Sequence, residues 1–232
     1  MALLLFACFF PHLISKAMFG HSPWPHRFLR GAARICGART TVLGRQPEPY
    51  TLIIANHISW LDVLVLGSAT GCAFVSKDNL GHPLAHWLAD QHHTIYVDRS
   101  DRRHSGDQVA AIRRALGRGQ PLAIFPEGTV GPAGHLLPFR STLLAAVAPA
   151  PPETNVRPAA IDYGAAATEL SWHGEDAIPN LLRILGRRGT FSVIVRLLDP
   201  LPPSSDRKHL AALARDRISA ALGASSSPAT RL

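Results

Sequence analysis

The apolar residues of the chain fall into short runs that alternate between strand-like and helix-like spacing. Tyr50–Ala55 is β-branched and apolar, follows a proline and ends at Asn56, which predicts a buried strand. Five similar runs predict further strands at Ala73–Ser76, Thr94–Val97, Leu122–Phe125, Pro158–Tyr163 and Thr190–Leu198. Two of these six strands end close to polar residues: Tyr50–Ala55 is followed by Asn56, and Leu122–Phe125 is followed by Pro126 and Glu127.

Helical periodicity appears between these strands. Gly106–Arg118 carries apolar residues at i, i+3 and i+7 and stops at Gly119, and two further helices are predicted at Pro83–Ala89 and Asp206–Leu222. Strands that alternate with helices predict an α/β fold. The 232 residues suit a single core. We expect one domain over residues 41–223, with a loose tail at 224–232.

The first 40 residues differ from the rest. The opening run MALLLFACFF is shorter than the roughly 20 residues that span a bilayer, and it lacks the flanks of a signal peptide. Arg27, Arg30 and Arg34 then recur at helical spacing, which suits an anionic membrane surface. We expect residues 1–40 to contact a membrane, as an interfacial anchor or as a span truncated by a late start codon. The alternative is a solvated helix packed on the core.

Composition narrows the choice of function. Hydrophobic residues make up 47% of the chain and charged residues 17%, which indicates a folded protein. The net charge of +8 suits a phosphate-bearing partner, although solubility alone could explain it. The three cysteines form no CxxC pair, so neither a disulfide framework nor a zinc knuckle is indicated. The arginines are scattered without a recognition helix or aromatic platform, so no nucleic-acid partner is expected.

A histidine with a nearby aspartate follows the first predicted strand. Asp62 lies five positions after His57, a spacing that lets a short helical turn bring its carboxylate to the imidazole. A carboxylate bonded to one ring nitrogen fixes the tautomer and leaves the other nitrogen free as a base. The HxxxxD spacing alone is common by chance, so its setting in the chain matters.

Four motifs occur in a fixed order: NHISWLD at 56–62, YVDR at 96–99, FPEGT at 125–129 and VRPAAI at 156–161. In this order they resemble the glycerolipid acyltransferase family of the bacterial 1-acylglycerol-3-phosphate acyltransferases. The resemblance runs from about Leu43 to Leu201. It implies a glycerol-3-phosphate acyltransferase-like fold, with a mixed, largely parallel sheet flanked by helices.

The resemblance also implies roles for particular residues. His57 would deprotonate the acceptor hydroxyl, which attacks an acyl thioester directly, and Asp62 would hold the imidazole. Arg99 would bind the acceptor phosphate together with Glu127 and Gly128; Glu127 would bond an acceptor hydroxyl or orient Arg99. The remaining expected substrate-binding residues are Thr129, Lys77 and Arg140.

The substrates implied by the resemblance are a lysophospholipid and an acyl-CoA or acyl-carrier protein, with no metal and no organic cofactor. Lysophosphatidic acid is the first expected acceptor and lyso-ornithine lipid is the rival. The rival is considered because His93 and Thr142 stand where the family usually has glycine. We expect the protein on the cytoplasmic face of a bacterial inner membrane.

The sequence supports other kinds of chemistry less well. The histidines at positions 82, 86, 92 and 93 suggest a metal site, but the glutamate of an HExxH motif is absent from this stretch. Ser59 and Ser76 lack a GxSxG turn, so a serine hydrolase is unsupported. A structural ion pair between Arg99 and Glu127, or a catalytically silent lipid-binding relative, are the remaining alternatives.

Overall fold

A computed structural model of the chain describes residues 1–77, 83–97 and 105–226. Within these ranges the centre of the protein is a seven-stranded sheet in the order β1-β7-β6-β2-β5-β3-β4. The strands are β1 (Ala38–Leu43), β2 (Thr51–Ala55), β3 (Ala73–Lys77), β4 (Ile95–Val97), β5 (Leu122–Ile124), β6 (Asn155–Asp162) and β7 (Phe191–Leu197). All neighbours are parallel except β6 and β7, which pair antiparallel. The expected mixed, largely parallel sheet is confirmed.

Helices cover both faces of the sheet. They are α1 (Ala2–Phe19), α2 (Trp24–Ile35), α3 (Leu61–Thr70), α4 (Pro83–Gln91), α5 (Ser105–Leu116), α6 (Ala167–Leu170), α7 (Ala177–Leu185) and α8 (Arg207–Ser226). Helices α2, α3, α6 and α7 contribute to the core on one face, and α5 and α8 to the core on the other. Successive side chains of a strand point to opposite faces of the sheet, so β2 contributes to both cores. Ile53 packs in the first core, and Leu52 and Ile54 pack in the second.

The sheet order brings three strand ends together. Strand β2 lies between β5 and β6, with Ile54 opposite Ile124 on one side and Pro158 on the other. Because these three strands are parallel, the residues that follow each of them meet at one edge of the sheet. This edge carries His57 after β2, Glu127 after β5 and Tyr163 after β6.

The first two helices pack on this body. Helix α2 buries Ala33 against the sheet face that α3 also covers, and Gly67 of α3 permits the close approach, since a Cβ there would lie 2.5 Å from Leu29 Cδ1. Helix α1 packs on α2 and turns His12 inward, where its ring bonds Gln91 Oε1 at 2.9 Å. None of the described helices is both long and apolar enough to cross a membrane.

The outer side of α1 is apolar. Large side chains recur along it with 46–83% of their surface exposed: Leu3, Phe6, Phe10, Leu13, Ile14, Met18 and Phe19. Soluble proteins seldom expose so continuous an apolar surface unless something binds it. The membrane contact expected for residues 1–40 stays a prediction, and this surface is where it would occur.

Several predicted elements differ from those observed. The sequence pattern did not predict β1, α3 or α7, and it ended the last helix at Leu222, whereas α8 continues through Gly223 to Ser226. Of the expected loose tail at 224–232, residues 227–232 lie outside the described ranges. Within the described residues no group of three His, Cys, Asp or Glu side chains is placed to hold a metal ion.

Candidate active site

Asn56 joins the end of β2 to the neighbouring strand β6. Its Nδ2 donates to Ile161 O at 3.0 Å, and Ile161 N donates to its Oδ1 at 2.8 Å. This pair of bonds continues the strand pairing with a side chain in place of a peptide. The buried amide thereby fixes the point at which the chain leaves the sheet, one residue before His57.

His57 and Asp62 form the pair that the sequence predicted. His57 Nδ1 lies 2.8 Å from Asp62 Oδ2, and Asp62 is fully buried in the first turn of α3. The same oxygen also accepts from Ile58 N at 2.7 Å and Ser59 N at 2.9 Å. The N-terminus of a helix stabilises negative charge. Three donors therefore converge on one oxygen of Asp62, and its bond to the imidazole selects the tautomer that carries hydrogen on Nδ1.

Tyr163 completes the surroundings of Asp62. Its hydroxyl donates to Asp62 Oδ1 at 2.7 Å, and the residue is only 2% exposed. Burial, reinforced by the charge of Asp62, raises the pKa of Tyr163 well above its usual value, so the phenol remains a neutral donor. The sequence pattern predicts only that Tyr163 ends a strand. The available signal was an aromatic hydroxyl at the same sheet edge as His57.

The imidazole of His57 is held by its face as well as by its edge. It stacks on the ring of Phe125, with 4.1 Å between centroids and 15° between planes. Because Nδ1 is bonded to buried Asp62, the opposite edge of the ring, which carries Nε2, faces solvent. The side chain of His57 is 17% exposed. Among the described residues none hydrogen-bonds Nε2. A base with its accepting nitrogen free is the result.

His57 lines a cleft of about 710 Å³. One wall comes from α3 and the strand ends, through Trp60, Val63, Phe74 and Phe125. The rest of the lining comprises Val75, Ser76, Gly128, Thr129, Val130, Trp172, His173, Gly174 and Glu175. The mixture of large apolar side chains with a few hydroxyls suits a ligand that has both an apolar and a polar part.

Glu127 lies behind the cleft lining and not in it. The residue is 2% exposed, its Oε1 accepts from His57 N at 2.7 Å and its Oε2 accepts from Leu137 N at 2.9 Å. Burial raises the pKa of Glu127, and the two amide bonds act against that rise. Both oxygens are turned to backbone amides, so the carboxylate holds the turn that carries His57. The two roles expected for Glu127, a bond to an acceptor hydroxyl or the orientation of Arg99, stay predictions.

The other predicted binding residues are distributed unevenly. Gly128 adopts φ +78°, a conformation that favours glycine, and both it and exposed Thr129 line the cleft. Arg140 does not line the cleft: its amide donates to Pro126 O at 2.9 Å and its side chain is exposed. Arg99 and the side chain of Lys77 lie outside the described residues.

The second wall is formed by residues 172–175, for which the sequence predicts no role. Trp172 N donates to Ile58 O at 2.8 Å, which joins this wall to the His57 turn. Trp60 Nε1 donates to Asn180 Oδ1 of α7 at 2.9 Å, and Asn180 Nδ2 donates to Glu175 Oε2 of this wall at 2.9 Å. The start of α3 is therefore linked to the second wall through Asn180.

The geometry suits proton transfer without a protein nucleophile. No Ser, Thr or Cys side chain among the described residues hydrogen-bonds the His57 ring. Ser59 is fully buried, and its Oγ accepts from Leu61 N at 3.4 Å. The group that His57 could activate must therefore enter the cleft with a ligand.

Comparison with known proteins agrees with this geometry. The sequence profile of the Acyltransferase family matches residues 40–162. The chain is 36% identical over 209 residues to the lyso-ornithine lipid O-acyltransferase of Pseudomonas aeruginosa, covering 84% of this chain and 78% of that protein. It is 30% identical over 93 residues to the 1-acyl-sn-glycerol-3-phosphate acyltransferase of Neisseria gonorrhoeae, covering 40% of this chain and 36% of that one.

The fold has a solved counterpart. The crystal structure of the 1-acyl-sn-glycerophosphate acyltransferase PlsC from Thermotoga maritima superposes with a TM-score of 0.65 at 18% identity, over 99% of this chain and 90% of that chain. The fold expected from the four sequence motifs is confirmed by this likeness. The profile match and the Pseudomonas relative establish that the chain belongs to the acyltransferase family.

Proposed function

We propose that the protein transfers a fatty acyl group from a thioester to the free hydroxyl of a lysolipid, with His57 as general base. The observation that carries the proposal is the His57–Asp62 pair on the wall of the cleft, with Nε2 unbonded among the described residues. A hydroxyl is a poor nucleophile at neutral pH, and a positioned base contributes about 10²–10⁴-fold to its reaction.

The proposed reaction is a direct transfer. Nε2 of His57 takes the acceptor's hydroxyl proton as the hydroxyl oxygen bonds to the thioester carbonyl carbon. The tetrahedral intermediate then expels the sulfur, which takes the proton from Nε2 and leaves as a free thiol. Asp62 holds the ring and stabilises the imidazolium formed between these steps. The donor is acyl-CoA or acyl-carrier protein, and the steps use no metal or organic cofactor.

The preferred acceptor in this proposal is lyso-ornithine lipid. The relative with that activity matches 84% of the chain, whereas the lysophosphatidic acid relative matches 40%. The motif departures at His93 and Thr142 point the same way. Lysophosphatidic acid is the second candidate, favoured by FPEGT and by Arg99 in YVDR, since a guanidinium fits a phosphate.

The proposed location is the cytoplasmic face of a bacterial inner membrane. The exposed apolar side of α1 would lie in the interface of the bilayer. Arg27, Arg30 and Arg34 of α2 are exposed and would meet anionic headgroups. Arg27 also lies over the ring of Trp24 at 4.6 Å, an aromatic side chain suited to the membrane interface.

A lysolipid panel tests the reaction and the acceptor together. The purified full chain and His57→Ala are assayed with lyso-ornithine lipid and lysophosphatidic acid, using acyl-CoA and acyl-carrier protein as donors. We expect acylated product and equimolar thiol with the wild type, and a loss of about 10²-fold or more with His57→Ala. Thiol release without any lysolipid would indicate a thioesterase instead. Near-normal transfer by His57→Ala would refute the assignment of the base.

A further inference from the structure

A stripe of large apolar side chains on α7 faces solvent beside the catalytic cleft. Ile178, Leu181, Leu182 and Leu185 recur at i, i+3, i+4 and i+7 and are 69%, 39%, 63% and 39% exposed. This spacing normally marks the face that a helix buries against its own protein. We call these four residues the α7 stripe.

The inner side of α7 is fixed to the body by polar contacts. Asn180 is fully buried, accepts from Trp60 Nε1 at 2.9 Å and donates to Glu175 Oε2 at 2.9 Å. Arg183, the one cationic residue in the sequence of α7, pairs with Glu175 at 2.7 Å. Because this cation is drawn back to the body, the α7 stripe stays uncharged. The helix is held rigidly in a position that leaves its apolar side outward.

Cationic residues stand just beyond the C-terminus of α7. Arg187 pairs with Glu169 at 2.9 Å and lies over the ring of Phe191, 5.3 Å from its centroid. Arg188 follows it and is exposed. Since Arg187 is paired, exposed Arg188 is the cation at this end of the stripe that suits an anionic lipid surface.

The α7 stripe lies on the side of the protein that carries the N-terminal helices. Ile184 of α7 and Ala33 of α2 belong to the same core cluster, so both helices cover one face of the sheet. Helix α2 in turn carries α1 and its exposed apolar side. On the cleft walls, Trp60 donates a hydrogen bond to Asn180 of α7. Trp172 donates a hydrogen bond to Glu175 O, in the segment that leads into α7.

We propose that the α7 stripe is a second contact with the bilayer surface and brings the mouth of the cleft to the lipid interface. The inference rests on the proposed function, in which the acceptor is a lipid. With α1 as the first contact, α7 fixes the orientation of the protein on the membrane. A lysolipid then reaches His57 without leaving the interface completely.

The size of the α7 stripe favours a lipid surface over a protein partner. Nine helical residues span only about 13 Å. Stable protein interfaces bury roughly 800 Å² on each partner, considerably more than one such stripe supplies. A bilayer needs no complementary partner surface, because its interior accepts any apolar side chain that reaches it.

Substitution of the two most exposed residues tests the proposal. Full-length Ile178→Ser/Leu182→Ser is compared with wild type and with Leu43→Ser, which removes a 42% exposed leucine from the end of β1. Binding is measured by flotation with vesicles of phosphatidylethanolamine and phosphatidylglycerol. Acyl transfer is measured with lysolipid in the same vesicles and in detergent micelles.

We expect the double variant to bind vesicles about tenfold more weakly and to lose a similar factor of vesicle activity. Its activity in micelles should stay within about twofold of wild type, as the reacting groups are untouched. Unchanged vesicle binding would overturn the proposal. So would loss of a concentration-dependent dimer in the variant, measured by light scattering, because the stripe would then join two copies of the chain.

A second measurement does not depend on that variant folding or on catalysis. Leu182→Cys is labelled with an environment-sensitive fluorophore, with exposed Glu153→Cys as the control. A blue shift on adding vesicles at position 182 alone supports the contact, and equal spectra at both positions contradict it. If wild type transfers no acyl group in micelles, the proposed function fails, while this spectrum still decides the role of α7.

Discussion

The hydroxyl of Tyr163 donates a 2.7 Å hydrogen bond to Oδ1 of Asp62, the oxygen that His57 does not use. Asp62 is consequently held from both sides, with three donors on Oδ2 and the phenol on Oδ1. A carboxylate with one unrestrained oxygen could rotate away from the imidazole. Tyr163 prevents this rotation and acts as a positioning residue, because it does not line the cleft in which His57 lies.

Removal of that hydroxyl should slow catalysis without weakening substrate binding. A hydrogen bond to a charged group contributes about 1.5–3 kcal/mol, so Tyr163→Phe should lower kcat about tenfold or more and leave KM within about twofold. Steady-state kinetics on the best lysolipid measures both constants. Tyr50→Phe, at the opposite end of β2, is the control. A raised KM with unchanged kcat would place Tyr163 in substrate binding instead.

Glu127 gives a prediction about stability as well as rate. In Glu127→Gln the amide nitrogen would face either His57 N or Leu137 N, so two donors would oppose each other where a carboxylate now accepts twice. Leaving a buried donor unpaired costs about 1–3 kcal/mol. We expect the free energy of unfolding to fall by that amount and kcat to fall with it, since the turn that carries His57 loosens.

Urea denaturation at pH 7.5 measures the stability, and the lysolipid assay measures the rate. Glu153→Gln changes an exposed carboxylate and should alter neither quantity by more than about 0.5 kcal/mol. A Glu127→Gln protein of normal stability but with a much higher KM for the acceptor would favour the contact that the family resemblance implies.

Much of the sheet was predictable because the central strands β2, β5 and β6 contain the apolar runs LIIA, LAI and PAAI. Strand β1 was missed because it is an edge strand whose residues alternate in burial and are polar from Arg39 to Thr41. Helix α3 was missed because its apolar residues lie on all sides of the helix and show no helical periodicity. Several of them are β-branched or small, which does not favour a helix over a strand. In α7 the helical spacing is present, but it marks an exposed side.

The site was predictable only where its residues are close in sequence. His57 and Asp62 are five positions apart, and one helical turn joins them. Asn56 and Tyr163 meet partners more than 100 positions away, because β6 lies beside β2 in the sheet. No local pattern reveals that neighbourhood. For Glu127 the motif was clear, but only the fold shows that its carboxylate faces backbone amides.

The cysteines should be inert in the folded protein. Burial raises the pKa of Cys36 to about 11 and of Cys72 to about 12, and it also raises the pKa of Cys8. The thiolate is the reactive form, so little of it exists at pH 7.5. We expect negligible reaction with a thiol reagent in the native state and three reacting thiols after unfolding. Full acyl transfer after exposure to iodoacetamide should accompany this, whereas inactivation would point to a cysteine acyl-enzyme.

His92 should make stability depend on pH. It is buried at the junction of α4 with the start of α2, and this burial is the main reason that its pKa is lowered from 6.5 to about 4. The nearby His26, His93 and His12 lower the pKa further, whereas a hydrogen bond to the Pro25 carbonyl acts against the shift. A histidine with a lowered pKa in the folded state stabilises the protein above pH 6.5, and this contribution is lost as pH falls toward 4. Over the interval from pH 7.5 to pH 5 the loss is about 2 kcal/mol.

Replacement by glutamine removes the titrating group and keeps a donor for the Pro25 carbonyl. His92→Gln should therefore lose about 2 kcal/mol less than wild type between pH 7.5 and pH 5 in urea unfolding. His135→Gln, at an exposed position, should follow the wild-type curve. Because His92 lies where α4 meets α2, a protease should cleave the N-terminal helices of the wild type before the rest of the chain at pH 5. Equal pH dependence in wild type and His92→Gln would show that another group is responsible.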